Sequence, residues 1–149
     1  MDAKLSYREQ AARGASPVHL VMLLYEQAIE DLHRALVAQR RGQIEERVRQ
    51  VDHALLVLGY LQATLDKEHG GRVAANLEQF YNQIRAGLME AQCRQSAQGI
   101  EQQISHLMLV REAWEEVERA TPPGAERTIR ESGPGLVETG ARSSLDRKA

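Results

Sequence analysis

Leu65-Asp66-Lys67-Glu68-His69-Gly70-Gly71-Arg72-Val73-Ala74-Ala75-Asn76-Leu77, running on to Phe80-Tyr81, holds a helix end, a paired-glycine break and a new helix start. Glycine carries no Cβ, so Gly70 and Gly71 can take the left-handed conformation that closes a helix and turns its last carbonyls toward a cap. Long amphipathic stretches lie on both sides of the break. A turn this tight folds them back alongside each other, as in an antiparallel bundle.

Working outward, the apolar spacing predicts four helices. Ser16-Pro17 opens the first, with serine as N-cap and proline at the first helical position. Val21, Leu24, Tyr25, Ala28, Leu32, Ala35 and Leu36 then recur at spacings of three and four. Gly42, behind Arg40 and Arg41, ends that helix with cations at the negative end of its dipole. The second is expected from about Ile44 to Glu68, with Val48, Val51, Leu55, Leu58 and Leu65 in register. The third runs from about Arg72 to Cys93 on Val73, Leu77, Phe80, Tyr81, Ile84, Leu88 and Ala91. Ser96 can cap the fourth, which uses Ile100, Ile104, Leu107, Trp114 and Val117. The expected fold is all-α, an antiparallel up-down four-helix bundle.

Two tails flank this bundle, which is assigned to residues 16–120. Residues 1–15 read as an N-terminal tail. Thr121-Pro122-Pro123-Gly124 stops the last helix, because a proline pair cannot continue the hydrogen-bond ladder. From there to Ala149 only Ile129, Leu136, Val137 and Leu145 punctuate a run of Gly, Ser, Arg and Glu. That is too little apolar area to offset ordering entropy, so residues 121–149 read as a disordered tail.

With 19 basic and 21 acidic residues in 149, the formal charge is −2. A nucleic-acid binder would show a basic face and a high pI, so that class is excluded. Lone Cys93 rules out an internal disulfide and a multi-cysteine metal site, and reads as a partly buried helix residue. Neither a secretory leader nor a run near the roughly 20 apolar residues of a membrane span is visible, so a cytoplasmic location is expected. No phosphate-binding loop or nucleophile motif stands out, which argues against an enzyme, a small-molecule substrate and a cofactor. A di-iron bundle needs two Glu-x-x-His motifs and two more inward carboxylates. Glu30-x-x-His33 has only Asp66-x-x-His69 as a near second copy, so no metal site is assigned. His19, His53 and His106 lack partners at ligand spacing and read as surface or interface residues.

One segment exceeds what a core requires. Ala54-Leu55-Leu56-Val57-Leu58-Gly59-Tyr60-Leu61 is apolar nearly all the way round. At 100° per residue, Leu56 and Tyr60 fall outside the stripe of Leu55, Leu58 and Leu65. Either this helix packs centrally on several neighbours, or it offers an exposed strip to a partner helix. Such a strip could equally make a homodimer. Tyr7, ten positions before Pro17, is either a tail residue with no fixed place or an aromatic anchor that folds over an apolar surface.

The string Leu65-Asp66-x-Glu68-x-Gly70-Gly71-x-x-Ala74-Ala75-Asn76-Leu77-x-x-Phe80-Tyr81 resembles the flagellin-specific export chaperones, the FliS family. Ala15-Ser16-Pro17-x-x-Leu20-Val21-Met22-Leu23-Leu24-Tyr25 is similar to that family's first-helix opening, with Tyr7 at its distance upstream. Ala113-Trp114 is similar to the pair near the end of its last helix. The resemblance covers about residues 5 to 118. It implies a non-enzymatic chaperone that binds the disordered C-terminal segment of flagellin in the cytoplasm, prevents premature polymerisation and hands the loaded complex to the export gate. It also implies that the N-terminal segment bearing Tyr7 covers part of the groove until flagellin arrives. Tyr7, Leu56 and Tyr60 are therefore the candidate partner-binding residues. The alternative is a related adaptor with a different flagellar or regulatory client. Ala86 and Gly87 stand where the family usually carries arginines, and glycine inside a helix costs up to about 1 kcal/mol against alanine.

Overall fold

The computed structural model describes residues 16–120; Tyr7 and the segment beyond Ala120 lie outside the described residues. Four helices follow in order: α1 (Pro17–Arg40), α2 (Ile44–Ala63), α3 (Gly71–Arg94) and α4 (Ala97–Ala120). Helix α1 packs on α2 and α4, and α3 packs on α4 and α2, so sequence neighbours are spatial neighbours around a square. The expected up-down bundle is what forms. Among these four neighbouring pairs, contact is most extensive between α1 and α2 and thinnest between α2 and α3.

Local chemistry sets the helix ends. The Ser16 hydroxyl accepts from the His19 amide at 3.1 Å, filling one of the orphan donors of the first turn. The Ser96 hydroxyl does the same for Gly99 at 2.9 Å. Helix α2 stops at Ala63, five residues short of the expected Glu68. There the Thr64 hydroxyl donates to the Leu61 carbonyl at 2.7 Å, and the Asp66 carboxylate accepts from the amides of Glu68 and His69 at 3.2 and 3.1 Å. Short polar side chains that bond nearby backbone favour turns over helix continuation. Of the glycine pair, Gly71 is left-handed at φ +60° while Gly70 is buried in an ordinary conformation at φ −81°.

The core is the predicted set, with corrections. Val21, Leu24, Tyr25, Ala28, Leu32, Ala35 and Leu36 of α1 are all buried, as are Leu77, Tyr81, Ile84, Leu88, Ile100, Ile104, Leu107 and Trp114. Leu55, Leu65, Val73, Phe80 and Val117 are only partly buried against it. Val48 is exposed rather than core, and Cys93, expected to be partly buried, is exposed in the last turn of α3. Across the centre, the Tyr25 hydroxyl donates to the Tyr81 oxygen at 2.9 Å, joining the diagonal pair α1 and α3. The two rings are tilted by 57° at 6.1 Å, a favourable aromatic geometry. Burial raises the pKa of both phenols above their ordinary value, with the Tyr81 neighbour adding to the shift at Tyr25.

Candidate functional site

The outer face of α2 is built by its two seams. On the α1 side, His53 Nδ1 pairs with the Asp31 carboxylate, which is fully buried and also accepts from Gln27 at 2.8 Å. On the α3 side, the Gln62 amide donates to Asn82 at 2.9 Å and its oxygen accepts from Arg85 at 2.6 Å. Lys67 and Glu78 add an ion pair at 2.9 Å between the following loop and α3. At 100° per residue His53 and Gln62 sit on opposite edges of the helix. Gly59, Ala63, Leu56 and Tyr60 fall between them, within about 100° of arc.

This strip is apolar and accessible. Leu56 is 46% exposed, Gly59 and Ala63 are exposed, and Tyr60 is half-buried with its ring against the core. A Cβ built on Gly59 meets nothing within 4 Å, so bare backbone faces outward there. Val48 continues the strip toward the start of α2, with exposed Asp52 between. Tyr60 therefore takes part in both arrangements open from the sequence, while Leu56 belongs to the exposed strip. The structure brings Leu56 and Tyr60 together; Tyr7 lies outside the described residues.

Sequence reasoning misses the support beneath the strip. It groups His53 with surface histidines, yet this side chain is 13% exposed and paired with Asp31. A buried carboxylate against a ring nitrogen holds the two helices in register, and with them the outward set of Leu56 and Tyr60. The signal is an acid at a core position of α1, and it becomes usable only once the α1–α2 register is known.

Other features carry less. A groove of about 480 Å³ between α3 and α4 is lined by Gly87, Ala91, Arg94, Gly99 and Gln103 among others. Gly87 lies against it: a Cβ there would meet the Gln103 side-chain amide, which would have to shift. Among the described residues, no three His, Cys, Asp or Glu side chains are placed to hold a metal ion. No described helix is long and apolar enough to cross a membrane.

Comparison with known proteins fits this architecture. The sequence model of the family described as Flagellar protein FliS matches residues 1–121. The chain belongs to the FliS family. Flagellar secretion chaperone FliS of Salmonella typhimurium is 32% identical over 110 residues, covering 73% of this chain and 82% of the relative. Flagellar secretion chaperone FliSB of Pseudomonas aeruginosa is 31% identical over 107 residues, 72% of this chain and 85% of the relative. A Campylobacter jejuni FliS is 34% identical over 112 residues, 75% and 88% respectively. This FliS chain is thus similar to chaperones of flagellum assembly and protein export, and the matched region takes in all four helices.

Proposed function

We propose that this protein is a cytoplasmic export chaperone for flagellin, without enzymatic activity, that holds the disordered C-terminal segment of its client along the bundle surface. The observation that carries the reading is the apolar, accessible strip of Leu56, Gly59 and Tyr60 on a member of the FliS family. A segment that folds on binding must offset its ordering entropy, which requires an extended apolar track. Covering the exposed half of Leu56 contributes about 1 kcal/mol, so the strip acts together with neighbouring surface and not alone. Gly59 admits close approach of a client helix, since no side chain stands above its backbone. In this reading Tyr7 anchors the N-terminal segment over part of the track and leaves when flagellin arrives. With its polymerising segment covered, the client stays unassembled until it reaches the export gate.

Flagellin polymerisation followed by light scattering tests this. Equimolar protein is expected to suppress filament growth, and a Leu56→Asp, Tyr60→Asp variant that keeps its helical circular dichroism is expected to lose that effect. Suppression unchanged by the substitutions moves the contact off α2. Absence of suppression by the native protein favours the adaptor reading, with a different flagellar client.

A further inference from the structure

The groove between α3 and α4 holds a polar group that the bundle itself does not satisfy. Gln103 is only 7% exposed, and its side chain lines the groove with no hydrogen bond to any described residue. Most buried amides in folded proteins are hydrogen-bonded, because leaving one without a partner is costly. Gly87 fixes where this amide sits. A Cβ built on Gly87 would lie 2.4 Å from the Gln103 amide nitrogen and 2.9 Å from its oxygen, so the amide rests on bare α3 backbone. Ala91 and Gly99 continue this floor without any bulky side chain.

We propose that the groove takes an extended, uncharged stretch of the client's chain, whose peptide group pairs with the Gln103 amide. This rests on the chaperone reading above and adds a second contact, on a different pair of helices from Leu56 and Tyr60. A primary amide offers both donors and an acceptor, the complement of a peptide C=O and N–H. Inside a helix those backbone groups are already bonded to one another; an extended chain has them to give. The α2 strip, with its apolar side chains, suits a client helix, and the groove suits the non-helical chain beside it. From Gly87 to Arg94 the groove follows α3 for about 10 Å, the reach of about three extended residues. A floor of glycine and alanine lets main chain approach that closely.

Charge narrows the occupant further. Glu90 pairs with Arg94 at 3.1 Å, and Glu101 pairs with Arg40 at 3.1 Å, so the acids at the edge of the groove are balanced within the protein. Gln98, Gln102 and Ser105, also exposed along it, are uncharged. A strongly acidic or basic segment meets no opposite field here, whereas backbone and small polar side chains meet amides and a hydroxyl.

The test is nuclear magnetic resonance of the isotope-enriched full chain, titrated with the C-terminal peptide of flagellin. The expected result is a shift of the Gln103 side-chain amide together with the backbone amides of Gly87 and Gly99. Cross-relaxation is expected from that side-chain amide to peptide residues in extended conformation. By calorimetry, Gln103→Ala is expected to weaken binding about three- to tenfold, the loss of one hydrogen-bonded pair. Gly87→Ala displaces the same amide without removing it, and is expected to weaken binding in the same direction with unchanged helical circular dichroism. Peptide binding that leaves the groove resonances unmoved overturns the groove proposal and leaves the chaperone reading standing. Helical peptide residues at the contact, or native affinity in both groove variants, do the same. A native protein that does not bind the peptide overturns the chaperone reading and, with it, this occupant.

Discussion

The Tyr25–Tyr81 hydrogen bond is a coupled buried pair, and a double-mutant cycle exposes the coupling. Both rings are at most 1% exposed and their hydroxyls are 2.9 Å apart, in the middle of the core. In Tyr81→Phe the Tyr25 hydroxyl loses its acceptor, and in Tyr25→Phe the Tyr81 hydroxyl loses its donor. Each single change costs about 1–3 kcal/mol, because a buried polar group is stranded. The double Phe variant removes both hydroxyls together, and it gives up one net hydrogen bond worth about 1 kcal/mol. Its loss is therefore expected to fall below the sum of the singles by about 1–2 kcal/mol, the coupling range of directly bonded side chains. Urea unfolding at pH 7 measures all four corners, provided the m-values stay constant. Strictly additive losses would refute the reasoning. The phenols also predict a pH trend. Burial raises both folded-state pKa values, so their contribution is complete below the unfolded value of about 10 and declines as pH rises through the folded values. Wild type is expected to lose stability above about pH 10 more steeply than the double Phe variant.

Gly59→Ala is expected to stabilise the protein by about 0.5–1 kcal/mol in urea, because α2 gains helix propensity and the new methyl meets nothing within 4 Å. Destabilisation would contradict the open geometry at that position. His53→Ala is expected to cost about 2–3 kcal/mol, since the fully buried Asp31 carboxylate loses a partner. A change below about 0.5 kcal/mol would mean that the pair contributes nothing to the α1–α2 seam.

Much of the bundle is legible because three- and four-residue spacing reports burial directly, as the wholly buried α1 series shows. The failures have separate causes. Val48 follows the same period as Val51 yet is exposed, and it belongs to the helix whose packing against α3 is thinnest. Periodicity overruns the end of α2 by five residues because apolar Leu65 outweighs Asp66, whose side chain caps the turn. The α2 strip is readable from Leu56 and Tyr60 as surplus. Its supporting His53–Asp31 pair is not, because residues 22 apart in sequence meet only through the register of two helices. Gly87 reads as a cost in the sequence, whereas in the fold the Gln103 side-chain amide lies across it and would have to move for a Cβ.

The central claim is that the α2 strip receives the C-terminal segment of flagellin, and titration calorimetry against that peptide tests it most directly. Tight binding with a large negative heat-capacity change is expected, weakened in folded Leu56→Asp, Tyr60→Asp protein. Failure of the native protein to bind the peptide, or binding indifferent to both substitutions, would contradict it.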